Sequence, residues 1–407
     1  MADLALYEEY LDLPIDAPAN LHGFALDIGA SLTKLVYVED APEKQHSSDG
    51  RNNSVRLRLM TFTNDKLKVV LEIIKQKVLP EDRGSSPMVV IGYGHGVQRA
   101  RDLINTTLGL TIDYTDEFTS FGVGFHHLFK HIPLEELLHP EEGAIPKDHI
   151  AEEDRYPLVL NFLGSAIIYL SIVESPDGKP KISIAGTLSR GGLYFLCMSK
   201  MLLGTQNFKE IMSLVERGDP TNVNLTIKDR NGTEITEHPF GKIWNEGIES
   251  PKREDVAAAL FENTCDDIRL VASTALNGAK AKSIYFVGSF AKDNKKFREI
   301  MKTLPELEVQ HGRAPVKVGF PRYEGYIGAI GAFIIGVEKL SDPDAKLMRL
   351  NIDRSQIGRV MAEAGLSPQE MAQMAQMMGG GGPPDGGHPP GSTGSSQPEE
   401  VSHVSHS

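Results

Sequence analysis

The sequence predicts an α/β protein: two similar domains facing each other across a cleft, followed by a disordered C-terminal tail. Three observations carry this. First, "FALDIGASLTKLVYVED" (24–40) is an apolar run, a small-residue turn and a second apolar run, and "YPLVLNFLGSAIIYLSIVES" (156–175) repeats the unit in the other half of the chain. Second, segments with apolar residues at helical spacing alternate with short buried strands, as layered α/β domains require. Third, residues 379–407 are rich in Gly, Pro and Ser and cannot bury enough apolar surface to fold alone.

In order, "VRLRLMTF" (55–62) alternates apolar and charged residues and reads as a strand with one wet face. "NDKLKVVLEIIKQKVL" (64–79) has helical spacing with Asn64 as its expected cap. "PMVVIGYGHG" (87–96) is a buried strand entering a glycine turn, and "VQRARDLINTTLG" (97–109) a helix stopped by Gly109. Residues 110–132 pass from a short strand to a helix, and 133–155 read as an acidic connection. After the second strand–turn–strand unit come a hairpin strand in 177–187, a helix in 189–204, a long amphipathic helix at 251–279, a strand at 282–294 and a small-residue helix at 323–336. The polar stretch 40–54 reads as an exposed loop. The chain therefore divides into an N-terminal segment (1–21), a first domain (22–150), a second domain (151–340), a helical extension with Met371, Met374, Met377 and Met378 at helical spacing (341–378), and the tail (379–407).

Composition narrows the function classes. A length of 407 residues suits two domains with a sizeable core. The formal net charge of −13 disfavours nucleic acid as a main partner. No apolar run reaches the ~18–20 residues that span a bilayer, so no membrane role is expected, and the acidic first twenty residues do not resemble a secretory signal. Two cysteines, Cys197 and Cys265, form neither a disulfide framework nor a zinc pattern. Both lie in apolar contexts and read as buried thiols in a reducing compartment, cytosol or nucleus.

Four stretches could carry chemistry. In "DIGASLTK" (27–34), the turn at Gly29 can bring backbone amides to a phosphate, with Ser31 and Thr33 adding hydroxyls. Asp27 could hold Mg²⁺, because hard cations prefer carboxylate oxygen, and Lys34 could neutralise transferring phosphate. A plain hairpin with Asp27 as a turn former fits these eight residues equally well. In "IGYGHG" (91–96), Gly92 and Gly94 precede a helix N-terminus that suits an anion, as does an ordinary βα turn. In "YTDEF" (114–118), Asp116 is the expected helix cap, which leaves Glu117 to project as a general base. The turns "NFLGSA" (161–166), with Gly164 and Ser165, and "GTLSRGG" (186–192), with Gly191 and Gly192, would form the matching half of the cleft. Arg190 is there either a surface residue or an anion contact.

Seven motifs follow one another in register: "LDIGASLTKLVYVED", "GVQRARDLINTTLGLTIDYTDEFTS", "YPLVLNFLGSA", "GTLSRGG", "ERGDPTNVN", "FVGSF" and "YEGYIGAIGA". Over residues 22–338 the chain resembles the eukaryotic-type (type II) pantothenate kinases, of the acetate-and-sugar-kinase and actin superfamily. The resemblance implies two ribonuclease-H-like (actin-like ATPase) domains and transfer of the ATP γ-phosphate to the hydroxyl of pantothenate, with Mg²⁺. It also implies a dimer, of this chain or with a paralogue, and regulation by acyl-CoA. By position, Asp27 through Lys34 would form the first phosphate motif and Glu117 the general base. Gly164 and Ser165 would lie near substrate, Gly191 and Gly192 in the turn before the next helix, and Gly325 in a segment that closes the site.

The chain departs from that family at several turns. Ala30 stands where a second glycine is usual, and Tyr93 and His95 interrupt a glycine triplet. Ala166 and an extra residue alter the substrate loop, Ser183 stands near an expected arginine, and Arg190 begins the later glycine turn. These departures motivate two rival readings: a weak or inactive kinase-like regulatory subunit, or a kinase of another small hydroxylated metabolite.

Overall fold

The computed structural model describes residues 4–18, 20–29, 32–39, 51–52, 54–80, 87–139, 155–228, 234–288, 290–292 and 294–341. Ala30 and Ser31 of the first turn, most of the 40–54 loop, the acidic stretch 140–154, the Met-rich extension beyond 341 and the tail lie outside the described residues.

Two sheets dominate. In the first, strand Tyr7–Leu13 is followed across the sheet by Val55–Thr63, Leu32–Val38, His22–Ile28, Met88–Tyr93 and Asp113–Thr115. In the second the order is Pro180–Leu188, Ile167–Glu174, Leu158–Leu163, Ser283–Val287 and Lys317–Gly319. With the N-terminal strand set aside, both sheets read third, second, first, fourth, fifth in chain order. The first three strands are antiparallel and the last two parallel in both. Connection length explains the mixture. A short turn can only reverse the chain, whereas a parallel neighbour needs a crossover. Helix Leu67–Lys77 lies within that crossover in the first half and helix Arg253–Ala279 in the second. This duplicated order is the ribonuclease-H-like arrangement, so the repeat visible in the sequence is a repeat of the fold.

A helix follows the fifth strand in each half, Glu117–His131 and Ile327–Ser341, and the two pack against each other between the sheets. They approach so closely that a Cβ at Gly124 would overlap the Ile327 carbonyl oxygen, and one at Gly331 the Ser120 carbonyl oxygen. One apolar cluster draws on both sheets and both helices, including Phe125, Phe129, Leu160, Tyr285, Ile330 and Phe333. The halves therefore share a core.

Several features differ from the sequence expectation. The N-terminal segment contains a strand: Leu11 and Leu13 alternate inward, while Tyr10 lies opposite Arg58 with the Arg56 and Arg58 guanidiniums each 5.5 Å from its ring. Two inward residues are too few to show an alternation by themselves. Within the 40–54 stretch, Arg51–Asn52 pairs with Ala17–Pro18. Asn64 does not cap helix Leu67–Lys77; it opens a 3-10 turn, and its side chain is used elsewhere. Cys265 is buried as expected, but Cys197 is exposed. Helix Gly192–Leu203 turns only Phe195, Ser199 and Leu203 inward, so its apolar outer face carries Cys197 into solvent.

His127 ties the helix Glu117–His131 to the N-terminal segment, its Nε2 2.7 Å from the Pro14 carbonyl oxygen. Burial, reinforced by neighbouring His131, pushes its pKa down to about 4. In the unfolded chain it titrates near the ordinary value of about 6.5. As pH falls between those values the unfolded state takes up the proton first, so stability is lost across that window. The midpoint of thermal unfolding is expected to fall as pH drops from about 7 toward 4. His127→Gln should flatten part of that slope, and an unchanged slope would exclude His127 as its source.

Candidate active site

The first hairpin builds the centre of the site. Asp27 is the last residue but one of strand His22–Ile28 and lies directly opposite Lys34, with 2.7 Å between Nζ and Oδ2. Asp27 is nearly buried and Lys34 a quarter exposed, so the pair is shielded on one side and open on the other. The turn closes through Gly29 N–H donating to the Leu32 carbonyl at 2.9 Å. Asn64 then clamps it from outside: its Nδ2 donates to the Gly29 carbonyl at 3.0 Å, and its Oδ1 accepts from the Thr33 hydroxyl at 2.9 Å. Thr33 is fully buried and spends its proton on Asn64 in this arrangement. This use of Asn64 is one that sequence reading missed. The available signal was strand order, because Thr63 pairs with Leu32 and so delivers the next residue to the turn.

The glycine turn 92–96 lies on this hairpin. Asp27 is in parallel register with Tyr93, and Tyr93 with Thr115, so the carboxyl ends of three adjacent strands line up. Such an edge is where open α/β sheets bind ligands. Gly94 has φ +85°, a conformation that favours glycine, and a Cβ there would sit 3.6 Å from Asp27 Oδ1. A Cβ at Gly96 would overlap the Ile28 carbonyl oxygen. The turn is thus close-packed against the hairpin, and helix His95–Leu108, whose N-cap is Gly94, starts beside Asp27. Gly92 stands within the strand, over Val97.

Asp116 caps the following helix as expected, its Oδ1 accepting from Thr119 N–H at 2.9 Å. Glu117 is therefore the first helical residue and is half-buried. Its position is felt by two tyrosines. Burial and then the Glu117 and Asp116 charges raise the pKa of Tyr114, and burial followed by the Asp27 and Glu117 charges raises that of Tyr93. Glu117 and Asp27 thus act on the same phenol.

The second half contributes another cluster. Gly192 N–H donates to the Gly164 carbonyl at 2.9 Å, and a Cβ at Gly191 would overlap the Ser165 carbonyl oxygen. Gly164 and Ser165 are thereby joined to the glycines that open helix Gly192–Leu203. Arg190 is on the surface, paired with Asp267 at 3.1 Å. The clusters communicate through aromatic rings: Tyr93 meets Phe121 edge-on at 5.9 Å, and Phe121 packs on Phe162 at 4.5 Å, two residues before Gly164. Gly325 lies in the turn before helix Ile327–Ser341, with open space where a Cβ would stand. Three residues on, Gly328 faces the Tyr93 hydroxyl.

No group of three or more metal-ligating side chains occurs among the described residues. A single carboxylate beside a glycine turn instead suits Mg²⁺, which keeps most of its waters and leans on phosphate oxygens. The duplicated sheet, with an acid–lysine hairpin and a glycine turn at its strand ends, defines the class: the ribonuclease-H-like fold shared by sugar kinases and actin-like ATPases. Within it, the chain belongs to the Fumble family, whose family model matches residues 23–335. Pantothenate kinase 1 of Arabidopsis thaliana is 30% identical over 341 residues, covering 78% of this chain and 86% of that protein. The 4'-phosphopantetheine phosphatase of Mus musculus is 27% identical over 351 residues, covering 79% of this chain but 41% of the mouse protein. Among solved structures, glucokinase from Balamuthia mandrillaris in complex with glucose aligns over 78% of this chain and 93% of its own, with 12% identity and a TM-score of 0.41.

Proposed function

We infer that this chain is a pantothenate kinase, transferring the γ-phosphoryl group of ATP to the hydroxyl of pantothenate to give 4'-phosphopantothenate, the first step toward coenzyme A. The observation that carries the reading is the alignment of Asp27, Tyr93 and Thr115 at three adjacent strand ends, with Lys34 paired to Asp27 and Glu117 opening the next helix. Asp27 would hold Mg²⁺ on the ATP phosphates. Lys34 would neutralise charge on the transferring group, and Glu117 would accept the hydroxyl proton as the new O–P bond forms and ADP leaves. Gly92, Gly94, Gly191 and Gly192 would let backbone approach the nucleotide. Gly164, Ser165 and Gly325 would line the pantothenate side. Positioning and electrostatics supply most of the acceleration in phosphoryl transfer. The deciding experiment incubates the purified protein with Mg·ATP and pantothenate and measures phosphopantothenate by mass spectrometry. Product in proportion to enzyme supports the reading, and none rejects it in favour of a regulatory subunit.

The rival readings draw on the altered turns. Tyr93 fills space where the resembling family has glycine, and Arg190 points to the surface rather than to a ligand. Co-purification with an active paralogue would favour the regulatory role, and turnover of another hydroxylated compound in an ATP-consumption screen would favour a change of substrate. The reducing compartment suggested by two unpaired cysteines is cytosol or nucleus. No helix among the described residues is long and apolar enough to cross a membrane.

A second copy of the chain is the expected partner for helix Gly192–Leu203. Leu193, Cys197 and Met201 recur every four residues on its outer face, and Met201 is 78% exposed. Light scattering should report a dimer for the native chain and a monomer for Leu193→Glu/Met201→Glu. A monomeric native chain would remove this surface as the dimer contact. Acyl-CoA would be tested as an inhibitor in the same turnover assay.

A further inference from the structure

Tyr93 occupies a place that neither an ordinary βα turn nor a phosphate loop calls for. Its side chain is 1% exposed, and its hydroxyl makes no hydrogen bond of ordinary geometry. A buried hydroxyl whose contact with Asp27 falls short of a well-formed hydrogen bond is costly, so the position demands a reason. Its surroundings are specific. Register places it beside Asp27 on the neighbouring strand. Its ring meets Phe121, one helical turn after Glu117 and on the same face. Its hydroxyl points at Gly328 in the first turn of helix Ile327–Ser341, where a Cβ would collide with both the oxygen and the ring. Tyr93 therefore fits only because residue 328 is glycine, and it wedges one half of the molecule against the helix of the other.

We propose that Tyr93 is a positioning residue, whose buried hydroxyl between the Asp27 hairpin, Glu117 and Gly328 holds the two carboxylates in one arrangement for phosphoryl transfer. This rests on the kinase reading of Asp27 and Glu117. A tyrosine phenol carries its proton at neutral pH, so it can act as a donor. A donor flanked by two acceptors can engage either, and a small rotation of either carboxylate completes a charge-assisted bond. That bond would be made as substrate draws Glu117 into line, so its contribution falls on turnover more than on nucleotide affinity.

The test uses Tyr93→Phe, which keeps the ring wedge and removes only the hydroxyl, beside Tyr93→Gly and Gly328→Ala. Tyr93→Phe should lower kcat for phosphopantothenate formation by about tenfold while the KM for ATP stays within about twofold and Tm is preserved. Gly328→Ala, which displaces the hydroxyl, should lower kcat in the same direction. Native kcat in Tyr93→Phe, or a fall in kcat matched by a fall in Tm across the variants, would overturn the proposal. A gain of activity in Tyr93→Gly would also overturn it and make Tyr93 an obstruction. If the native chain forms no phosphopantothenate, the kinase reading fails separately. The positioning role, which rests on that reading, is then overturned with it, whereas native kcat in Tyr93→Phe beside an active native chain overturns the positioning role alone.

Discussion

Glu117→Gln should lower kcat by about 10³, within the 10²–10⁴ range typical of a lost general base. Glutamine keeps the size of the side chain and its polar contacts but cannot take the proton of the attacking hydroxyl. The residue is well placed for that proton. Asp116 satisfies the helix cap through Thr119 N–H, which spares Glu117 from capping, and Glu117 is half-buried at the start of the helix. A structural explanation would be too small. A negative charge in the first helical turn is worth about 0.3–1 kcal/mol, so the variant should remain folded at assay temperature. Mg·ATP-induced thermal stabilisation should survive, because the nucleotide side is built by the hairpin and the glycine turn. The loose transition state of phosphoryl transfer leaves proton removal late, so a drop nearer 10² would still agree with the role. Native turnover would remove Glu117 from the mechanism.

Lys34→Met should be costly twice over. Asp27 is nearly buried and its partner is Lys34, at 2.7 Å. Removing one member of a buried pair leaves an uncompensated charge, which costs about 3–5 kcal/mol when the site is fully enclosed. Lys34 keeps a quarter of its side chain in solvent, so a screened value of about 2 kcal/mol is expected, or several degrees in Tm. Turnover should fall further than stability explains, because the same ammonium would neutralise the transferring phosphoryl group. Mg²⁺ with ATP should recover more Tm in Lys34→Met than in the native chain, since a bound cation would compensate Asp27. Unfolding curves with and without Mg·ATP measure this. An equal ligand-induced shift in both proteins would separate Asp27 from the cation.

Much of the local structure around the candidate site was legible because its signals are local. The strand–turn–strand units, the Gly109 stop at φ +66° and the Asp116 cap depend on bonds within a few residues, and each lies where the sequence puts it. The duplicated sheet order follows from connection length, which the sequence also displays. Other expectations failed because the competing partner was distant in the chain. Asn64 reads locally as a helix cap, yet its side chain serves the Gly29–Thr33 turn, 31 and 35 positions away. Cys197 reads as buried because its neighbours are apolar, yet the helix turns that apolar face outward.

The sequence by itself determined the repeat, the hairpin that carries Asp27 and Lys34, and the helix that begins at Glu117. Period, turn chemistry and the Asp116 cap are written in consecutive residues. Tertiary structure alone decided which groups share a space. It set Tyr93 between Asp27, Glu117 and Gly328, joined Gly164 and Ser165 to Gly191 and Gly192, and brought helices Glu117–His131 and Ile327–Ser341 into glycine-lined contact. The physical reason is close packing. Whether a buried hydroxyl fits beside a helix depends on a single absent Cβ on the other half of the molecule, and no local pattern in the chain records that distance.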